Sequence, residues 1–245
     1  MKRFCLFLLY VTVVNCGKKL PPYVEQCYRG DDKAMSECLI RNIDKLRPRL
    51  ANGIPELLVP ALDPLMIPSA VIANENTFKC DLKNVNLYHI DNMTISKLDM
   101  SFEGKTWDLE MEYPSLGIVT DYHMVGKLLV LELNSMGKST GNITGVKLNY
   151  HVNLDVENKN GKEYFKLKSS SLKAIIDYSH TYFENLFGKN EELNRRANQI
   201  FNENYKVFLE QFTPVVEHIV EEFVNHVLSN FFKKFSLDVI FPKKK

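Results

Sequence analysis

Few side chains in this 245-residue sequence stand at spacings that could support catalysis or metal binding. His218 lies four residues before Glu222 and eight before His226, and side chains at these spacings share one face of a helix. A catalytic zinc site needs three protein ligands, and the His-Glu-x-x-His pattern is missing here. We therefore predict no metal site, and we expect these side chains to be structural or solvated.

Residues that could activate a nucleophile or bind a phosphate group are equally sparse. The run Gly137–Ser139 resembles the end of a P-loop, but that motif needs a glycine where the sequence has Glu132, so we predict a turn between strands. Ser179 and His180 are sequence neighbours, whereas a catalytic triad is defined by spatial geometry. No Gly-x-Ser-x-Gly motif occurs. Although sequence alone leaves an acid pair open, we predict no catalytic residue, no cofactor and no enzymatic activity.

The first 17 residues are typical of a signal peptide. Lys2 and Arg3 precede an apolar run over Phe4–Val14, and small residues follow around Gly17. About eleven apolar residues are too few to span a bilayer, and no later run is long and uncharged enough to do so. We predict a secreted protein with one mature domain over residues 18–245 and no stable membrane insertion.

The charge of the chain is close to balanced. Of the 31 lysines and arginines, two lie in the leader, which leaves 29 basic residues against 30 acidic ones. Nucleic acids and anionic membranes attract proteins with a strong basic excess. This balance predicts that neither is the main partner.

Three cysteines remain once Cys5 and Cys16 are removed with the leader. Cys27 and Cys38 are separated by a short polar segment, and in an oxidising compartment we expect a disulfide between them. Closing so short a loop stabilises by on the order of 3 kcal/mol. For Cys80, a buried free thiol is favoured over intermolecular pairing.

The segment Asn190–Phe235 predicts one long helix, and a helical hairpin in an ordinary α+β domain is the alternative. Its apolar residues recur in steps of four and three, which defines one helical face: Phe201, Tyr205, Phe208, Phe212, Val215 and Ile219. After Ile219, apolar pairs recur every four residues, which spreads the apolar stripe over more than half of the helix circumference. We expect Pro214 to bend this helix, and we expect other elements to surround it.

The middle of the chain alternates between apolar and polar residues with a period of two. This pattern is clearest where Trp107, Leu109, Met111 and Tyr113 alternate with acidic residues. Strands with one apolar face predict an antiparallel sheet. Predicted turns separate the strands at Asp91–Asn92, Glu103–Gly104, Pro114, Asn134–Gly141 and Asn158–Gly161.

These elements together predict an α+β fold. A sheet with one apolar face and a helix that is apolar over most of its girth can both be buried if the sheet curls around the helix. We therefore expect a long C-terminal helix wrapped by a highly curved antiparallel sheet.

Several segments resemble the takeout and juvenile-hormone-binding family of secreted insect proteins. They are Gly53–Leu65, Glu112–Leu116, Gly126–Leu129, the turn region with Gly137 and Gly141, and Phe235–Pro242. The matching segments are distributed along nearly the whole mature chain. It implies the single-barrel form of the tubular lipid-binding fold, with the arm Gly53–Leu65 helping to cover the pocket. It also implies a carrier of a small hydrophobic ligand, such as a juvenile-hormone-like terpenoid, a fatty acid or a related lipid.

We expect ligand contacts on the inner face of the helix and on inward-facing strand residues. The candidates are Trp107, Tyr122, Leu128, Phe201, Phe208, Phe212, Ile219 and Phe223. Any single one of them is more often a core residue than a ligand contact. Trp107 and Tyr122 are the best of the set because a buried polar tip must find a partner.

Asn92 and Asn142 begin N-glycosylation sequons at predicted turns, and we expect a secreted chain to be glycosylated there.

A second function stays open beside the carrier. A secreted protein of this fold could fill its interior with its own side chains and bind a protein or a lipid surface from outside. The sequence does not predict the oligomeric state.

Overall fold

A computed structural model describes residues 19–74, 78–128 and 130–244. The predicted signal peptide, Met1–Gly17, lies outside these residues. The helices are α1 (Asp32–Leu50), α2 (Glu191–Glu203), α3 (Tyr205–Lys234) and α4 (Leu237–Ile240). The strands are β1 (Leu65–Asn74), β2 (Phe78–Tyr88), β3 (Thr94–Ser101), β4 (Thr106–Leu128), β5 (Leu131–Lys159) and β6 (Lys162–Phe183). Two 3₁₀ turns, Pro55–Leu57 and Ile90–Asn92, complete the set.

The described strands form one antiparallel sheet in the order β1-β2-β4-β5-β6, with β3 paired beside β4. Helix α3 contacts both β6 and β1, which are the two ends of this order. A sheet whose opposite edges reach the same helix must curl around that helix. The predicted α+β fold, with a curved antiparallel sheet around a long C-terminal helix, is therefore confirmed.

Strands β4, β5 and β6 are unusually long, and they change direction along one line. A straight strand of 29 residues, the length of β5, would extend about 95 Å. Pro114, Gly145 and Asp177 lie opposite one another on the three strands, between regularly paired positions. On one side of this line the nearest inward-facing residues are Tyr113, Val146 and Ile176. On the other side they are Leu116, Ile143 and Ser179.

Along each strand the inward side chains on either side of this line are three residues apart instead of two. A strand can take such a step only where the backbone leaves the regular pleat. Gly145 provides this departure with φ +63°, a conformation that glycine adopts without steric cost. The kink therefore changes which residues face the interior along all three strands.

Two predicted turns are wrong, because Pro114 lies within β4 and Asn134–Gly141 lies within β5. Pro114 belongs to the kink, where the regular ladder is interrupted, so its missing N–H is tolerated. Gly137 and Gly141 face close neighbours, since a Cβ at these positions would lie 2.6 Å from the Glu184 carbonyl oxygen and 2.8 Å from Ile118 Cγ2, respectively. The prediction of a hairpin turn at Asn158–Gly161 is confirmed.

The predicted C-terminal helix is two helices. The break falls at Asn204, whereas Pro214 lies inside α3. The Asn204 side chain donates to the carbonyl oxygen of Ile200 at 2.8 Å, and the Asn204 backbone N–H bonds to Ile200 and Phe201. The backbone leaves the helical conformation at Asn204, with φ −107° and ψ 24°, and α3 begins at the next residue.

Helix α2 covers the free edge of β6 with asparagine side chains. Asn198 accepts from the Phe183 N–H at 2.8 Å and donates to the Phe183 carbonyl at 2.9 Å. Asn202 makes the same pair with Thr181, at 2.8 and 2.9 Å. An amide group carries the donor and the acceptor that a neighbouring strand would supply, so these residues replace the missing strand.

Helix α3 continues this polar contact farther along β6. Glu217 accepts from the Ala174 N–H at 2.9 Å. Asn225 donates to the Ser170 hydroxyl at 2.8 Å and accepts from the Tyr150 hydroxyl at 2.7 Å. These polar contacts fix the register of α3 in an interior that is otherwise apolar.

The buried apolar residues form two clusters. In the larger one, Trp107 packs edge-to-face against Phe165, Phe232 and Phe241 with ring centroids 5.5–6.4 Å apart. The smaller one includes Phe78, Tyr122, Leu128 and Phe201. The predicted disulfide between Cys27 and Cys38 is present, and both residues belong to the larger cluster.

The kink at Gly145 generates a stability prediction. Gly145→Ala combines a strained positive φ with a Cβ that would lie 2.1 Å from Asp177 Oδ2, so we expect a loss of about 2–4 kcal/mol. Gly161→Ala is the matched control, because Gly161 has φ +75° and no atom near the added Cβ, and it should lose only about 1–2 kcal/mol. Urea unfolding measures both, and equal losses would contradict the crowding at the kink.

The asparagine contacts on β6 generate a second stability prediction. Asn198→Ala leaves the part-buried N–H and carbonyl of Phe183 without their partner, so we expect a loss of about 1–3 kcal/mol. The neighbouring exposed Gln199 serves as control, and Gln199→Ala should stay within about 0.5 kcal/mol of the parent. Urea unfolding separates the two outcomes.

Candidate functional site

An apolar cavity of about 180 Å³ lies between the two clusters. Apolar cavities of about 150 Å³ can hold a benzene molecule, so this space accepts a ring or a short chain. The lining residues from α2 and α3 include Phe201, Tyr205, Phe208, Phe212 and Val216. Those from the strands include Cys80, Ile118, Thr120, Met124, Ser139, Ile143, Ile176, Ser179, Thr181 and Phe183.

The helical wall follows directly from the sequence pattern. Its residues succeed one another in steps of four and three along α2 and α3, which places them on one face. The aromatic rings contact each other, with centroids 4.9 Å apart for Phe201 and Phe208 and 5.5 Å apart for Phe208 and Phe212. The three phenylalanines predicted as ligand contacts on this stretch therefore lie together on the cavity wall.

The other predicted contacts lie away from the cavity lining. Tyr122 and Leu128 belong to the smaller cluster; the Tyr122 hydroxyl donates to the Glu184 carbonyl, and its ring packs on Phe183, which itself lines the cavity. Trp107 and Phe223 pack in the larger cluster. Ile219 is half-buried on α3. Whether any of the eight residues contacts a ligand stays a prediction.

Sequence reasoning missed the strand side of the cavity. Ser139 lies in a stretch whose glycine and serine residues predict a turn, and Ile143, Ile176 and Ser179 lie next to the kink. Because the inward positions shift by one residue across the kink, a constant period of two assigns them incorrectly. Gly145, with its neighbour Pro114 on β4, was the one signal that could have indicated this shift.

The cavity wall carries no formal charge among the residues that the structure describes. Burial raises the pKa of the Cys80 thiol to about 12, with a smaller contribution from the negative charge of Asp81. The thiol therefore stays protonated and neutral at physiological pH. This interior can hold apolar groups and uncharged polar groups.

The arm Gly53–Leu65 packs against the larger apolar cluster and away from the cavity. Ile54, Leu57 and Leu62 are buried in the larger cluster, and Lys234 donates to the Glu56 carbonyl at 2.8 Å. No residue of the arm lines this cavity in the described parts of the chain. The covering role implied by the family resemblance therefore does not apply to this cavity.

The remaining candidate residues lie on the surface. His218 Nε2 and Glu222 Oε1 are 3.4 Å apart, both side chains are 70% exposed, and no group of three metal-ligating side chains occurs among the described residues. Asn92 is exposed at the end of a 3₁₀ turn. Asn142 is also exposed, but the prediction that it lies at a turn is wrong, because it pairs with Gly117 in the middle of β5.

The buried thiol generates a prediction about reactivity. A pKa raised to about 12 lowers the thiolate fraction at pH 8 by about a thousandfold relative to an ordinary cysteine. We expect Cys80 in the native protein to react at least a hundredfold more slowly with a small neutral disulfide reagent than in denaturant, and to react faster as the pH rises. Native and unfolded rates within tenfold of each other would contradict the burial of this thiol.

In the described part of the chain, every helix is too short or too polar to cross a membrane.

Among known proteins, the chain is 22% identical to the circadian clock-controlled protein daywake of Drosophila melanogaster over 245 residues, which covers 94% of this chain and 92% of that protein. The daywake protein of Drosophila yakuba is also 22% identical, over 93% and 90% of the two chains.

The fold has a close counterpart among solved structures. The crystal structure of Takeout 1 from Epiphyas postvittana superposes with a TM-score of 0.75 at 20% identity, and the match covers 89% of this chain and 99% of that chain. The family model described as haemolymph juvenile hormone binding protein matches residues 5–242. The chain therefore belongs to the haemolymph juvenile hormone binding protein family.

Proposed function

We propose that this protein is a secreted carrier that binds a small hydrophobic ligand in the cavity between α2–α3 and the curved sheet. The ligand classes in view are juvenile-hormone-like terpenoids, fatty acids and related lipids. The observation that carries this proposal is an apolar cavity whose described lining has no charged side chain. Membership in a family of hydrophobic-ligand binders supports it.

The free energy gained by burying the apolar surface of a ligand is large enough for a carrier. Burial of apolar surface contributes about 25 cal/mol per Å², so a ligand that buries a few hundred Å² gains on the order of 5–10 kcal/mol before association costs. Micromolar affinity corresponds to about −8 kcal/mol. A ligand longer than the present cavity needs side-chain movement. The most direct candidates are the contacting, tilted rings of Phe208 and Phe212 on the cavity wall.

Secretion belongs to the same proposal. The pattern over residues 1–17 is that of a signal peptide, and the disulfide between Cys27 and Cys38 fits an oxidising compartment. The mature carrier would then comprise one domain over residues 18–245. Exposure of Asn92 and Asn142 is compatible with glycosylation in that compartment.

A cavity-filling variant tests the binding site. Val216→Phe adds a ring to the cavity wall and should weaken binding of a fluorescent fatty-acid probe at least tenfold. Val207 lies on the same helix, is 38% exposed, and is not a cavity residue. Val207→Phe should therefore leave the affinity of the probe within twofold of the parent.

Two other results of this binding experiment would contradict the proposal. Probe binding that both variants leave unchanged would place the ligand outside this cavity. No binding of the fatty-acid probe or of a neutral fluorescent probe by the folded parent protein would contradict the carrier. It would favour the second hypothesis, a secreted interaction protein whose outer surface binds a protein or a lipid surface.

A further inference from the structure

A groove of about 790 Å³ lies on the outer side of the molecule, between strand β6 and helix α2. Its strand wall carries Tyr178, His180 and Tyr182, which alternate along β6 with residues that line the cavity. The two tyrosines are 40% and 49% exposed. The groove therefore opens on the face of β6 opposite to the cavity. Helix α2 supplies the other wall with polar side chains, which are Glu191, Asn194, Arg195, Asn198, Gln199, Asn202 and Glu203.

This combination of side chains suits a carbohydrate. A sugar ring has an apolar C–H face, which packs on an aromatic ring, and a rim of hydroxyl groups, which bond to polar side chains. Tyr182 offers an exposed ring and a hydroxyl group. Gln199 donates to Glu203 at 2.7 Å, and sugar hydroxyls can still bond to the Gln199 amide oxygen and to the second carboxylate oxygen.

The charges of the groove favour an uncharged ligand over an anion. Arg195 is the arginine of the described lining, and its Nη2 donates to both carboxylate oxygens of Glu192 at 2.8 and 2.9 Å. A guanidinium group paired in this way is less available to a phosphate or a carboxylate. Glu191 and Glu203 add negative charge to the lining, which repels an anion. The hydroxyl groups of a neutral sugar meet neither obstacle.

The sequon at Asn142 lies beside this groove. Asn142 on β5 pairs with His180 on β6, at a spacing of about 4.8 Å between neighbouring strands. Thr144, the third residue of the sequon, pairs with Tyr178. The Asn142 Oδ1 accepts from the Ser115 hydroxyl of β4 at 2.6 Å, which turns the amide nitrogen away from β4 and toward the side of β6. An N-glycan is attached to this nitrogen.

We propose that the groove between β6 and α2 binds the first sugars of an N-glycan attached to Asn142 of the same chain. The N-acetylglucosamine rings pack on Tyr182 and hydrogen-bond to the polar face of α2. The glycan thereby bridges β5 and α2 across the edge strand β6, beside the contacts of Asn198 and Asn202 with that strand. This inference rests on the proposed secretion of the chain and is independent of its carrier function.

Asn92 provides an internal control. It begins the other sequon and is exposed at the end of a 3₁₀ turn, and the described lining of the groove includes no residue between β2 and β3. The full chain is produced in a eukaryotic secretory host, and glycopeptide mass spectrometry measures the occupancy of both sequons. Peptide-N-glycosidase F then releases the glycans from the folded and the denatured protein. We expect Asn142 to be occupied, and folding should slow release from Asn142 at least tenfold more than release from Asn92.

Two tyrosines of β6 provide matched variants. Tyr182→Thr removes the ring from the groove, keeps a β-branched residue in the strand, and should speed release of the Asn142 glycan from the folded protein at least fivefold. Tyr164 lies on the same face of β6, pairs with Glu157 and is outside the groove lining. Tyr164→Thr should therefore leave the rate within twofold of the parent. Gln199→Ala, at an exposed position of α2, is a second groove variant and should also speed release.

Hydrogen exchange measures the bridge to α2 without an enzyme. Asn142→Gln removes the glycan and should raise the exchange rate of α2 backbone amides several-fold. Asn92→Gln removes the control glycan and should leave the exchange of α2 as in the parent. Equal exchange in these two variants would contradict a glycan that contacts α2.

The outcomes separate this inference from the proposed function. If the chain is retained in the cell and neither sequon carries a glycan, the proposed secretion itself fails. If the chain is secreted but Asn142 is unmodified, or folding slows release equally at both sequons, secretion stands and the groove inference is overturned. Equal release rates for Tyr182→Thr and Tyr164→Thr would overturn the contact between the glycan and the groove.

Discussion

The structure depends on how the open edge of β6 is closed. A long strand at the end of a sheet exposes a row of backbone donors and acceptors, which would otherwise pair with another chain. Here Asn198 and Asn202 of α2 form paired hydrogen bonds with alternate residues of β6, and Glu217 of α3 continues the contact. The helices therefore act both as the filling of the curved sheet and as the cover of its edge. Because these bonds fix the helices against β6, the face of the helices that lines the cavity is fixed as well.

The transverse kink is the second determinant of the interior. Long strands can wrap a helix only if they bend, and the line through Pro114, Gly145 and Asp177 bends three of them together. Beyond this line the inward positions shift by one residue, and on β5 and β6 they include small side chains such as Ser139 and Ser179. Small side chains opposite the phenylalanines of α2 and α3 leave the space unfilled. The cavity therefore lies beside the kink that lets the sheet curve, and residues next to the kink form part of its wall.

Sequence reasoning recovered the parts of the fold that have a regular period. The curved antiparallel sheet, the Cys27–Cys38 disulfide and the phenylalanine face of α2 and α3 all follow from spacing and composition. The predictions of turns at Pro114 and Asn134–Gly141 were wrong. Proline and glycine interrupt the alternating strand pattern both where the chain turns and where a strand only kinks.

The candidate site was predictable on one side only. A helical face has a constant period, so Phe201, Phe208 and Phe212 could be grouped from the sequence. The strand side could not, because the kink shifts the inward positions and small hydroxyl residues are typical of turns as well. The break at Asn204 was missed because the apolar pattern runs on through it, while the backbone departs from helical geometry at this one residue, with φ −107° and ψ 24°.

In the proposed function, the cavity between the helices and the sheet holds a hydrophobic ligand in the native protein. Mass spectrometry of the intact protein from its natural fluid, followed by organic extraction, detects such a ligand. We expect one small hydrophobic lipid per chain, which a hydrophobic competitor displaces. A protein recovered without any co-purifying lipid, and unable to take up a hydrophobic probe afterwards, would show that the cavity is not a ligand site.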